Sequence, residues 1–142
     1  YKKGGLSRSE ILQLDNATRS LENSVETVNR FSKIGVKMMA GSDSPWGAYP
    51  PGEFVKEILA LNRAGLSIYE SLLTGTKYAA HSIGKGHVSG ILNVGRNADV
   101  LIVKGNPLIN LSDLSNVKQV YKKGIPQYKK PKGYSGIHTE IK

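Results

Sequence analysis

The chain has 142 residues, 39% hydrophobic and 22% charged, an ordinary globular composition with enough length for a core of its own. No apolar run approaches the roughly 20 residues of a membrane helix. The absence of cysteine excludes a disulfide framework and a thiolate metal site, and it fits a reducing, cytoplasmic setting.

The opening, YKKGGLSRSE, has neither a leading Met nor an apolar signal segment. It reads as a chain entered mid-stream, so the expectation is a piece of a longer protein. Leu21, Val25, Val28 and Phe31 then recur at helical spacing, with Glu22, Glu26, Arg30 and Lys33 between them. Gly35 is placed to stop that helix. Val36, Met38, Met39 and Ala40 follow as a short buried strand, and helix, glycine and strand make half of an α/β unit.

Residues 44–52, SPWGAYPPG, hold three of the six prolines and read as loop. Phe54, Val55, Ile58, Leu59 and Leu61 mark a second amphipathic helix, ending near Gly65. Ser67-Ile68-Tyr69-Glu70 has the capping-box pattern and opens a third helix running to Ile83, before Gly84. Gly75 lies inside that helix at a cost of about 1 kcal/mol against alanine, so a close packing contact is expected there. From Gly86 the pattern changes: glycines come every few residues, with strands at Ala98 to Val103 and Val117 to Tyr121 and a turn at Lys122-Lys123-Gly124. The division is therefore 1–85, α/β; 86–129, β-rich; and 130–142, a loose basic tail.

The net charge is +9, from 20 Lys+Arg against 11 Asp+Glu. Lys118, Lys122, Lys123, Lys129, Lys130, Lys132 and Lys142 are opposed after residue 117 only by Glu140. Lysine interleaved with Tyr121, Tyr128 and Tyr134 raises a nucleic-acid module, but this stretch contains no arginine, the usual reader of phosphates and bases. The reading is a solvated tail, with no nucleic-acid and no membrane partner.

One buried strand does not complete a parallel sheet, so neither half is self-sufficient. The order of pieces resembles the C-terminal part of the amidohydrolase superfamily, in its imidazolonepropionase and prolidase-like branch. The segments that carry the resemblance are Ile34-Gly35-Val36 into Ala40-Gly41-Ser42-Asp43-Ser44, Asn62 to Ser67, Leu72 to Ala80, Gly90 to Asp99, Gly105-Asn106-Pro107-Leu108 and Val117 to Gly124. The resemblance implies an α/β fold: the C-terminal part of a (β/α)8 metal-dependent hydrolase barrel, its eighth strand at Val36 to Ala40, followed by part of a small β-sandwich.

The same resemblance implies roles for residues. Barrel active sites lie at the C-terminal ends of the strands, which is where Asp43 stands. In the family the aspartate in that place contacts a catalytic divalent metal, most often zinc, and hydrogen-bonds the hydrolytic water. A carboxylate there can take the water's proton and pass it to the departing amine, while the metal polarises the scissile carbonyl. On its own residues, Ser-Asp-Ser-Pro is also good turn chemistry. Trp46 and Tyr49 follow in the loop and either stack on a small amide or dipeptide-like substrate or pack the loop against the barrel rim. Asp99 reads as structural, and Glu53 as a favourable charge at a helix start. His81, His87 and His138 read as solvated and do not replace the histidine ligands of the family.

The implied function is metal-dependent hydrolysis of C–N bonds in an amide, cyclic amide or dipeptide, with this segment inactive alone. Deamination would use the same aspartate. A non-catalytic relative of the fold is the alternative, and a basic nucleic-acid module the weaker one. The expected partner is the missing N-terminal barrel half, or another copy of the chain.

Overall fold

Ser7 opens the first element of the computed structural model, which describes residues 5–44 and 52–129. Its hydroxyl accepts the Glu10 N–H at 3.3 Å while the Ser7 N–H donates to Glu10 Oε2 at 2.8 Å. This capping box satisfies two N–H groups that a helix start leaves free. Helix α1 (Arg8–Lys33) therefore begins well before the apolar repeat that announces it. It ends where expected: Val36 N–H donates to the Phe31 carbonyl and Gly35 N–H to the Ser32 carbonyl, both at 3.0 Å. That bond pair needs a left-handed residue at position 35, and Gly35 adopts φ +78°. The same two-bond closure ends the second and fourth helices.

Residues 36–40 depart from expectation. No residue among those described pairs with them in a sheet, and Val36 and Met39 are 45% and 51% exposed. A strand is made by its neighbours, and a lone apolar segment has nothing to receive its ladder bonds or cover its faces. Ala40 alone is buried, at 6% exposure, and its N–H donates to the Thr74 carbonyl at 3.1 Å.

Helix α2 (Phe54–Arg63) starts at Glu53, whose carboxylate pairs with Lys56 Nζ at 2.5 Å. The third expected helix is in fact two, α3 (Ile68–Thr74) and α4 (Lys77–Ser82). Ser67 and Glu70 form the anticipated capping box, with Glu70 N–H donating to Ser67 Oγ at 3.1 Å and Ser67 N–H to Glu70 Oε2 at 3.1 Å. The break falls at Gly75 and Thr76, where α2 comes too close to Gly75 for a side chain. A Cβ on Gly75 would lie 2.7 Å from Ile58 Cδ1 and 3.2 Å from Phe54 Cε1. The close contact expected there is present.

Strands β1 (Val100–Val103), β2 (Val117–Lys122) and β3 (Ile125–Lys129) form one antiparallel sheet in that order. Val100 faces Tyr121, and Lys122 faces Ile125. Lys123 and Gly124, at φ +51° and +79°, make the two-residue turn whose twist matches that of its strands. A 3-10 turn, Leu111–Ser115, links β1 to β2. The described residues hold this one sheet and no second sheet facing it.

The turn also carries the core. Leu111 and Leu114 are buried with Ala40 and Ile58, and Val55, Leu59, Leu61, Ile68 and Leu72 pack on them. Burying each large aliphatic contributes about 1.5–3 kcal/mol, so this cluster fastens the sheet region to α2 and α3. Two carboxylates stiffen the connections. Asp113 accepts the Asn106 N–H at 2.9 Å and the Asn110 and Asn116 side-chain amides at 3.3 Å each. Asp99 accepts the Ser89 hydroxyl at 2.7 Å, the Lys123 N–H at 2.9 Å and Lys122 Nζ at 3.3 Å.

Candidate active site

Asp43 sits three residues beyond Ala40, and Ala40 is the fixed point of its segment. The anchor is Thr74, which is fully buried with Ser71. Thr74 Oγ1 donates to the Ser71 carbonyl at 2.6 Å, and Ser71 Oγ donates to the Ser67 carbonyl at 2.9 Å. These bonds satisfy both hydroxyls inside the protein and leave the Thr74 carbonyl to receive Ala40 N–H. Thr74 was thus missed as a positioning residue. Its signal in the sequence was a pair of hydroxyl residues, Ser71 and Thr74, flanking Leu72 and Leu73 on one helix.

The backbone at Asp43 is left-handed, φ +48°, a region that Asp and Asn tolerate best among residues with a Cβ. Asp43 is exposed, so its carboxylate is open to solvent or to a ligand. Such a conformation costs of order 1–3 kcal/mol and concentrates at functional sites. Trp46 and Tyr49, expected to contact substrate, lie outside the described residues.

The other titratable candidates do not converge on Asp43 to make a metal centre. Among the described residues no three His, Cys, Asp or Glu side chains come together to hold an ion. His81 and His87 are exposed, as expected, and His138 lies outside the described residues. Catalytic zinc sites take about three protein ligands, so Asp43 by itself does not fit a complete site. Nor is any helix among the described residues long and apolar enough to cross a membrane.

Asp99 and Glu57 are shifted in opposite directions. Asp99 is held below the ordinary aspartate value, first by the Lys123 N–H and then by the Ser89 hydroxyl, in keeping with its structural reading. Glu57, half-buried on α2, is raised by burial.

An α/β chain with a left-handed aspartate after a short apolar segment, and a small antiparallel sheet beyond, matches one family over most of its length. Residues 5–125 match the amidohydrolase family, and the chain belongs to it. It is 31% identical over 123 residues to the imidazolonepropionase of Syntrophobacter fumaroxidans, covering 84% of this chain and 29% of that one. Among solved structures, a putative prolidase from Bifidobacterium longum superposes with TM-score 0.70 at 28% identity, over 74% of this chain and 26% of the other. A Xaa-Pro dipeptidase with bound methionine in its active site gives TM-score 0.67 at 27% identity, over 75% and 25%. The relatives are of the branch that the motifs resemble. The chain spans 29% of the imidazolonepropionase.

Proposed function

We propose that this chain is the C-terminal part of a hydrolase of C–N bonds, acting on an amide, cyclic amide or dipeptide. Asp43 is its proton-transfer residue: it takes a proton from the attacking water and returns it to the leaving amine. The observation that carries this reading is the exposed, left-handed Asp43, three residues after an N–H clamped to a buried threonine, in a chain of the amidohydrolase family.

In this reading residues 36–40 are the eighth strand of a (β/α)8 barrel, and the sheet β1-β2-β3 is part of a β-sandwich. The bare faces of Val36 and Met39 support the first assignment. Exposed Leu101, at 49% and opposite Val120 in the sheet, supports the second, since an inner sheet face has to be covered. Zinc would polarise the scissile carbonyl when bound; Asp43 would be one ligand, the others coming from beyond the described residues. Trp46 and Tyr49 would meet the substrate. The rest of the barrel, or another copy of this chain, would cover the exposed side of α1.

The test is turnover by the full-length protein on a panel of cyclic amides and Xaa-Pro dipeptides, with Asp43→Asn beside the parent. Cleavage of a panel member that the variant loses supports the assignment. Equal turnover by a folded Asp43→Asn protein removes Asp43 from the reaction.

A further inference from the structure

Between Lys37 and the loop that follows α4 lies a cavity of about 230 Å³. Lys37, Lys77 and Arg96 line it, with His81, Tyr78 and Ile91, and its walls include no carboxylate. Nor does any ion pair among the described residues engage those three cations. Lys37 Nζ stands 5.9 Å from the centre of the Tyr78 ring, at the outer reach of a cation–π contact.

Arg96 is the most telling of the group. It is half-buried, yet its one side-chain hydrogen bond among the described residues is from NH1 to the Ser89 carbonyl, at 3.4 Å. A guanidinium carries five N–H donors in a planar fork, so most of its capacity is unspent beside the cavity. Cations gathered in a cleft with low-dielectric walls focus a positive field. A bound anion would relieve the repulsion and occupy the fork.

We propose that this cavity binds a phosphate dianion, free or as a small monoester. Arg96 supplies paired donors to two phosphate oxygens, the geometry for which a guanidinium is suited. Lys77 and Lys37 supply the balancing charge. Two or more cations match a dianion better than a single carboxylate, and the Ile91 side chain offers an apolar wall for the body of an ester.

The experiment is calorimetric titration of the full-length protein with inorganic phosphate and with phenyl phosphate, at constant ionic strength. Saturable one-to-one binding of either is expected. Tighter binding of phenyl phosphate identifies an ester site, and equal or weaker binding identifies free phosphate. Arg96→Gln should weaken binding about tenfold or more, the scale of one charged hydrogen bond. Lys77→Gln is a second variant on the same wall, and both are checked for unchanged unfolding temperature. Arg96→Lys, which keeps the charge and loses the fork, should fall between. Lys118→Gln removes an exposed charge elsewhere and should leave binding unchanged. No saturable binding of either probe overturns the proposal. So does equal weakening by Lys118→Gln and Arg96→Gln, which would assign the effect to the chain's general positive charge.

Discussion

Asp99 accepts three hydrogen bonds from two separate places: the Ser89 hydroxyl in the loop, and the Lys123 N–H and Lys122 Nζ in the hairpin. These donors favour the carboxylate, so its folded value lies below the ordinary 3.8. A group depressed in the folded state adds stability above its unfolded value and loses it as the pH falls through the folded one. Asp99→Asn should therefore be less stable than the parent at pH 7, and the gap should narrow below about pH 4. Urea denaturation from pH 7 to pH 3 reads both; a gap that stays constant would mean the carboxylate charge is irrelevant. Asp43 differs in that asparagine also tolerates its left-handed backbone. Asp43→Asn should keep the fold and lose about 10²–10⁴ in kcat, the usual contribution of general acid–base catalysis. Turnover with matched circular dichroism separates the two effects.

The loop after α4 depends on close approach. A Cβ on Gly90, at φ +90°, would sit 2.5 Å from Ala80 Cβ and 3.0 Å from the Thr76 carbonyl oxygen. Neither neighbour is the end of a long side chain that could swing away. Gly95 also has a positive φ, +81°, but nothing lies within 4 Å of its would-be Cβ. Gly90→Ala should thus cost about 1–3 kcal/mol for the clash on top of the conformational cost, whereas Gly95→Ala bears only the latter, about 1–2 kcal/mol. Thermal unfolding of the pair checks the order, and equal losses would deny the contact with α4. Helix stops and the Ser67 cap were legible in the sequence because they are local chemistry, a glycine or a Ser-x-x-Glu pattern acting within one turn. The same pattern at Ser7 to Glu10 also caps a helix, but the apolar repeat used to find α1 begins only later. The break at Gly75 was half legible: a tight contact was foreseeable, but not that the helix would be interrupted there. Asp43 stands out as a candidate from its neighbours in sequence alone. The Thr74 anchor and the cavity at Arg96 could not, because their members come together only in the fold, Lys37 from well before the others.

At the scale of the molecule, surface remains to be covered. Helix α1 has 26 residues and buries none of them, although Ile11, Leu14, Leu21, Val25 and Phe31 are 53%, 58%, 66%, 38% and 45% exposed. It meets the rest of the chain near its end, where Asn29 lies against Gly65. Scattered apolar residues on a surface need no explanation, but a stripe at helical spacing marks a face that packs on something. Fully burying a large apolar side chain contributes about 1.5–3 kcal/mol, so five left about half in water forgo a sizeable part of the ~5–15 kcal/mol stability of a domain. Residues 36–40 add backbone groups with no ladder partner among the described residues, a template for association. The isolated 142-residue chain should therefore self-associate or stay incompletely folded, and become ordered when the rest of the barrel is supplied. It should also fail to bind zinc stoichiometrically below micromolar concentration, since no three described ligands converge. Sedimentation velocity across a range of concentrations, with urea unfolding and a zinc titration on the same samples, measures each. A monomer at all concentrations that unfolds in one cooperative step would show that α1 and residues 36–40 need no cover. The assignment of residues 36–40 as a barrel strand would then fail, while tight zinc binding would instead overturn only the reading of which residues form the metal site.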